Sequence, residues 1–267
     1  MHPMLNIAIR AARSAGKIIM QGTEQLDKVE TQQKGVNGLV TSIDIAAEEA
    51  IIAVVKKSYP DHGFICEESG VQGNAQSEYQ WIIDPLDGTT NYIKGIPHFC
   101  VSIALKVNGK TEQAVIFDPI RDELFSATRG QGSQFNTYRT RATKAKDLKG
   151  TLIGVAFPFN IPSYKEAYLA IFTEMYDDVA SVRQSGSAAL DMAYVAAGRL
   201  DGFFEIGLKP WNTAAGELLV KESGAIITDF TGGHNYVSTG NIVAGNPKVV
   251  KSLLSKIRPH LTPALSR

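Results

Sequence analysis

Apolar residues recur at steps of three and four between residues 4 and 20, at Leu5, Ala8, Ala12, Ala15, Ile18 and Ile19, and Gly22 follows as a stop. That spacing lines one side of a helix. A second helix is expected over about 42–58, where Ile43, Ala47, Ala50, Ile51, Val54 and Val55 suit tight packing. Thr41 and Asp44 are spaced as a capping box with an Asp variant, and Pro60 closes the segment. From Phe64 onward the signals become β. Phe64-Ile65-Cys66 and Tyr79–Ile83 are short, apolar and rich in strand formers. The stretch 98–128 alternates as a meander: Phe99 to Val107, a turn at Asn108-Gly109, Gln113 to Phe117, a turn at Asp118-Pro119, then Glu123 to Ala127. Further strands are expected at Leu152–Phe157, Gly202–Ile206, Ala225–Phe230 and Asn241–Ala244, with helices at 163–178, 187–198, 213–223 and 247–257. Helices alternating with antiparallel sheet predict a layered α/β (α+β) architecture, not a bundle or a pure β-sandwich. No low-complexity tract, polar linker or repeat interrupts the pattern, so residues 1–267 read as a single domain. A subdomain seam is expected near 145–150, where the composition shifts.

Composition narrows the class without naming it. The 267 residues carry 27 Lys+Arg against 27 Asp+Glu, and 44% are hydrophobic, which excludes bulk disorder. A zero net charge argues against a protein whose main role is coating nucleic acid. A local patch stays open at 139–149, where Arg139, Arg141, Lys144, Lys146 and Lys149 face only Asp147. With Tyr138 as its one aromatic neighbour, solvated surface is the favoured reading over an RNA- or acidic-partner patch. Cys66 and Cys100 are too few for a disulfide framework. No apolar run reaches the roughly 18 residues that span a bilayer, and the start shows no secretory pattern. A cytoplasmic protein without membrane contact is expected.

The sharpest chemistry lies in Trp81-Ile82-Ile83-Asp84-Pro85-Leu86-Asp87-Gly88-Thr89-Thr90-Asn91. An apolar strand runs into two carboxylates three residues apart, Pro85 restricts φ between them, and Gly88 permits a tight turn. Two acids with the Leu86 carbonyl between them make a hard-oxygen set suited to Mg²⁺. Gly88-Thr89-Thr90 adds the N–H groups and hydroxyls that a phosphate takes. The plainer alternative is a D-P-x-D-G chain reversal. A second short strand ends in Glu67-Glu68-Ser69, with Glu67 the candidate ligand; on its own that pair reads as a solvated turn. Asp44 is either a helix cap or a partner that hydrogen-bonds Thr89 and helps polarise a water. Lys34, in a Gly- and Asn-rich loop, is either solvated or a phosphate neutraliser. No nucleophile elbow, Cys–His motif or Walker loop is present. The economical chemistry is metal-activated water attacking phosphorus.

These residues resemble the inositol monophosphatase family. Its first motif stands here as Trp81 to Tyr92, its E-E-S element as Glu67-Glu68-Ser69, and its second motif, W-D-x-A-A-[GA], as Trp211-Asn212-Thr213-Ala214-Ala215-Gly216. The resemblance covers nearly the whole chain. It implies a five-layer α-β-α-β-α sandwich, a dimer, lithium inhibition, and Mg²⁺-dependent hydrolysis of inositol 1-phosphate or similar polyol phosphates with two or three Mg²⁺ ions. It implies one Mg²⁺ on Glu67, Asp84 and the Leu86 carbonyl, and a second on Asp84, Asp87 and the Asp of the second motif. Thr89, with Asp44 behind it, would orient the attacking water, and the Gly88 and Thr89 N–H groups would grip phosphate. Arg183, Gly186, Ser187, Ala188 and Glu205 fall where the family contacts inositol hydroxyls. Position 212 departs from the pattern: Asn replaces Asp, keeping a helix cap but removing a negative charge, so a weaker second metal site and reduced turnover are expected. Gly38 departs too, standing where relatives often carry an acid. Stretches such as 193–199 and 240–246 look like a gammaproteobacterial branch associated with transcription antitermination on ribosomal RNA operons. That likeness implies RNA polymerase and elongation factors as alternative partners, in a role independent of catalysis.

Overall fold

The N-terminal periodic stretch folds as α1 (Pro3–Thr23), whose buried face is Leu5, Ala8, Ala12, Ala15 and Ile19. A hairpin of β1 (Thr31–Lys34) and β2 (Gly38–Thr41) leads into α2 (Ser42–Ser58), which the Thr41–Asp44 capping box opens. The computed structural model describes residues 2–26, 29–34, 38–157, 159 and 161–261.

Next come β3 (Gly63–Cys66), β4 (Gly70–Gly73), β5 (Tyr79–Asp87), the short α3 (Thr89–Ile93), β6 (Cys100–Val107), β7 (Lys110–Asp118), β8 (Glu123–Thr128), β9 (Gly132–Phe135) and β10 (Tyr138–Arg139). They form an eight-stranded sheet in the order β10-β9-β8-β7-β6-β5-β3-β4. Every neighbouring pair is antiparallel except β3 and β5, which run parallel. The second half supplies β11 (Leu152–Val155), α4 (Lys165–Met175), β12 (Ser181–Arg183), α5 (Ala188–Ala196), β13 (Gly202–Glu205), α6 (Pro210–Glu222), β14 (Ile226–Thr228), α7 (Tyr236–Thr239), β15 (Ile242–Gly245) and α8 (Pro247–Ile257). Its strands make a five-stranded sheet in the order β12-β11-β13-β15-β14.

The cores follow from strand alternation, since neighbouring residues point to opposite faces. Trp81, Ile83, Val101, Ile103 and Val115 of the large sheet pack on α1 and α2. Ile82, Cys100, Ala104, Ile116 and Phe125 face the other way, onto Ala189, Leu190 and Ala193 of α5 and Ala215, Leu218 and Leu219 of α6. The far side of those two helices, Met192, Val195 and Val220, meets Phe203, Ile227, Ile242 and Ala244 of the small sheet. The small sheet's outer face, Ile153, Phe204 and Val243, packs on α4 and α8. Five layers result: α1/α2, large sheet, α5/α6, small sheet, α4/α8. The α5–α6 approach needs a glycine, because a Cβ on Gly216 would stand 2.7 Å from Met192.

Differences from the sequence expectation sit at boundaries and in short elements. The helix expected over 163–178 is a 3₁₀ turn, Pro162–Tyr164, followed by α4. α6 starts three residues early, because Pro210 at its first position is preset for helix. β5 continues past Ile83 to Asp87, carrying both carboxylates within the strand. The hairpin β1–β2, β4, α3, β9, β10, β12 and α7 were not anticipated; all are short, and several are polar. Among the described residues, no helix is long and apolar enough to cross a membrane.

Candidate active site

The parallel pairing of β3 with β5 assembles the acids. Cys66 lies opposite Ile83, so the next residues along the chain, Glu67 just past β3 and Asp84 within β5, lie side by side at one end of the paired strands, and the Glu67 N–H donates to the Ile83 carbonyl at 3.1 Å. The carboxyl ends of strands are where α/β sheets gather ligand sites. Pairing between β5 and β6 slips between Asp84 and Asp87, where Pro85 withholds an N–H, and the slip brings both aspartates to the site. The Glu67–Ser69 turn is held from below by Glu48 of α2. Its carboxylate accepts the Glu68 and Ser69 N–H groups at 3.0 and 2.9 Å. The sequence pattern did not single out Glu48, which sits among other acids on an amphipathic helix.

Asp84 is fully buried. Its Oδ1 accepts the Leu86 N–H at 3.1 Å, and its Oδ2 accepts the amide of Asn212 at 2.8 Å. Burial first, then the neighbouring Glu67 and Asp87 carboxylates, push its carboxyl well above the usual range. Asp87 accepts the Ser187 hydroxyl and the Ala189 N–H, each at 2.7 Å. Burial nevertheless pushes its carboxyl up to about 6. Ser187 caps α5, so Asp87 stands at the positive end of that helix.

Asp44 both caps α2 and meets the Thr89 hydroxyl. Its Oδ2 caps α2 through the Thr41 N–H at 2.8 Å, and its Oδ1 lies 3.0 Å from the Thr89 hydroxyl. That hydroxyl is also 3.1 Å from the Leu86 carbonyl, so its single proton is directed inward and its lone pairs are left for another donor. Burial raises the Asp44 carboxyl above its ordinary value. Gly88 adopts φ +107°, a left-handed conformation, and a Cβ there would crowd the His98 carbonyl at 3.0 Å.

A cavity of about 200 Å³ opens beside Asp87, lined by Gly186, Ser187, Ala188, Asp191, Glu205 and Asn212 among others. Gly186 has φ +87°, and the Asn91 amide beside it ties the Ser185 and His98 carbonyls at 2.8 and 2.7 Å. Two expectations change. Arg183 does not line this cavity; its guanidinium folds onto its own strand, donating to the Ser181 hydroxyl and the Val182 carbonyl. Asn212, expected as a weak neutral stand-in at the second metal site, turns its amide nitrogen and not its oxygen toward Asp84. The Lys209 N–H claims Oδ1 at 3.0 Å, so the amide nitrogen faces Asp84. The Lys34 side chain and residues 35–37 lie outside the described residues. A larger cleft of about 400 Å³ beside α4, lined by Phe157, Phe159, Tyr168 and Leu169 among others, contains none of the predicted site residues.

Whether this set fits a divalent ion is decided by its donors. Glu67, Asp84, Asp87 and the Leu86 carbonyl are all hard oxygens, and burial raises the carboxyls of Asp84 and Asp87, which a cation would relieve. Among the described residues no three acidic, His or Cys side chains form a ready cage. Mg²⁺ fits such a site, because it is bound by one or two carboxylates and completes its shell with water and phosphate.

A model of the inositol monophosphatase family matches residues 1–262. Nus factor SuhB of Escherichia coli K12 is 58% identical over 267 residues, covering 100% of both chains. The crystal structure of extragenic suppressor protein suhB from Bartonella henselae superposes with a TM-score of 0.94 at 38% identity, covering 97% of this chain and 100% of that one. Inositol monophosphatase from Anabaena gives 0.84 at 36% identity, with 98% and 97% covered. From its motifs, its layers and these relatives, the chain belongs to the inositol monophosphatase family.

Proposed function

We propose that the chain, as one domain, is a Mg²⁺-dependent phosphomonoesterase that hydrolyses inositol 1-phosphate and related polyol monophosphates. The observation that carries this reading is the convergence of Glu67, Asp84 and Asp87 at one end of the paired strands beside the Thr89–Asp44 pair. Glu67, Asp84 and the Leu86 carbonyl would hold one ion, and Asp84 and Asp87 a second. Bound there, Mg²⁺ supplies positive charge against the phosphate and acidifies a water. Thr89, its proton directed to Asp44, would accept a hydrogen bond from the attacking water and aim it, and Asp44 would take up the proton through the hydroxyl. Gly88 and Thr89 present N–H groups at the opening turn of α3, where a helix leaves its first donors unused. Ser187, Ala188 and Glu205 face the leaving alcohol, and Glu205 accepts from its hydroxyls. Asn212 tempers the site, because its N–H already donates to the Asp84 oxygen that a second ion would use. Phosphate release from inositol 1-phosphate across a Mg²⁺ series tests the reading. Release should rise with Mg²⁺ and vanish in Asp84→Asn; release independent of both would refute it.

A second reading is a binding role in transcription antitermination, with RNA polymerase or elongation factors as partners. It is favoured by the names of close relatives, Nus factor SuhB, and by one surface feature. Asn246 ties the Thr143 and Ala145 carbonyls to the start of α8, joining exposed Lys144 and Lys146 to exposed Lys248 and Lys251. Pull-down with polymerase and elongation factors should survive Asp84→Asn if the two roles are separate.

A further inference from the structure

We propose that Asp191 is a specificity-determining residue of the cavity beside Asp87, where its carboxyl group and that of Glu205 together take the hydroxyls of a polyol leaving group. The inference rests on the phosphatase reading and names a residue that the sequence motifs do not mark.

Asp191 sits in the first turn of α5, where an acid is ordinarily solvated and favours the helix dipole. Here it is only 2% exposed and lines the cavity; its carboxyl meets the Ser185 side chain, but one oxygen, Oδ1, has no hydrogen-bond partner among the described residues. A buried acceptor left unsatisfied is costly, so such a group points to a donor that arrives from outside. Glu205 enters the same cavity from the end of β13. Burial raises both carboxyls, Asp191 to about 7 and Glu205 well above its ordinary value, and each also feels Asp87. Asp191 further raises Glu205, which places the two within electrostatic reach of one another. Among the described residues, no Lys, Arg or His lines this cavity to neutralise them.

Two carboxyl groups with no protein cation need donors. A leaving group with one hydroxyl satisfies one of them; a ring or chain carrying several hydroxyls satisfies both. The cavity, at about 200 Å³, is below the range of drug-sized sites and suits a small molecule. An aromatic leaving group without hydroxyls would strand both oxygens against apolar surface. The pair therefore discriminates by penalising what cannot donate, the stronger form of selectivity.

The test compares Asp191→Leu, Asp191→Asn and wild type with Mg²⁺ on inositol 1-phosphate and on p-nitrophenyl phosphate. The ratio of kcat/KM for the first substrate over the second should fall about tenfold in Asp191→Leu, mainly through KM, and recover partly in Asp191→Asn, whose amide still hydrogen-bonds hydroxyls. An unchanged ratio, or equal losses on both substrates, overturns the proposal. Asp191→Leu should melt close to wild type, because it loses the contact to Ser185 but also removes the unsatisfied buried oxygen and puts an apolar group of similar size in its place. If wild type cleaves neither substrate, the phosphatase reading fails. Asp191 is then judged by calorimetric titration of myo-inositol: weaker binding to Asp191→Leu supports its role, and equal or undetectable binding to wild type and variant overturns it.

Discussion

Lys209 decides which way Asn212 faces. With the Lys209 N–H holding the amide oxygen, the nitrogen donates to Asp84 and supplies some of the positive character a cation would bring. Asn212→Asp removes that donor and places a fourth carboxylate beside Glu67 and the raised acids Asp84 and Asp87. We expect it to lower the melting temperature without metal, and to raise Mg²⁺-dependent phosphate release about tenfold, ~1.4 kcal/mol of transition-state stabilisation. Equal release by the two proteins across a Mg²⁺ titration would show that residue 212 does not limit the site. Thr89→Val keeps the shape of α3 but loses the hydroxyl between Asp44 and Leu86. A rate loss of about 10²–10⁴-fold with an unchanged melting temperature is expected, the usual contribution of a positioned proton-transfer group. Asp84, Asp87 and Thr89 were legible in the sequence because they fall within six residues that include a glycine and a proline. The orientation of Asn212 was not, since it depends on a backbone N–H that only the helix start positions. Asp191 and Glu48 were hidden for another reason: each sits on a helix whose pattern is explained by packing and solvation alone.

Among the elements, β3, β5 and α2 share the work of bringing acids from 17 positions apart, Glu67 and Asp84, to one end of the paired strands. The apolar runs made both strands visible. Their parallel pairing was not visible, because it is a long-range choice that no local spacing encodes. Glu48 then anchors the turn that carries Glu67. Glu48→Ala leaves two N–H groups without their carboxylate and should cost about 1–3 kcal/mol in a urea melt. The same variant should weaken Mg²⁺ binding by calorimetry, whereas an unchanged affinity would mean that the turn holds itself. The short α3 escaped the sequence pattern because five residues carry too little periodicity to register.

At the scale of the whole molecule, the buried acids make stability depend on pH in a definite direction. Asp87 is raised to about 6, Asp191 to about 7, and Asp44, Asp84 and Glu205 are raised as well. A folded-state pKa above the unfolded value means that the native protein binds more protons, so these groups favour folding at low pH and lose that contribution as pH rises through their folded values. Metal-free protein should therefore melt lower as pH rises across 5 to 8. Added Mg²⁺ should raise the melting temperature more at pH 8 than at pH 5, where protons compete for the same oxygens. A Mg²⁺ shift equal at both values would count against the acids as its binding site. The alternation of helix and sheet foretold the layering, but not which helices lie in the middle. α5 and α6 are built largely from alanine and leucine on their large-sheet side, and each touches a sheet on either flank. Neither sheet can open without stripping that shared filling from the other. A calorimetric scan should accordingly give a single peak, its van't Hoff and measured enthalpies equal, because the α5/α6 layer is packed against both sheets at once.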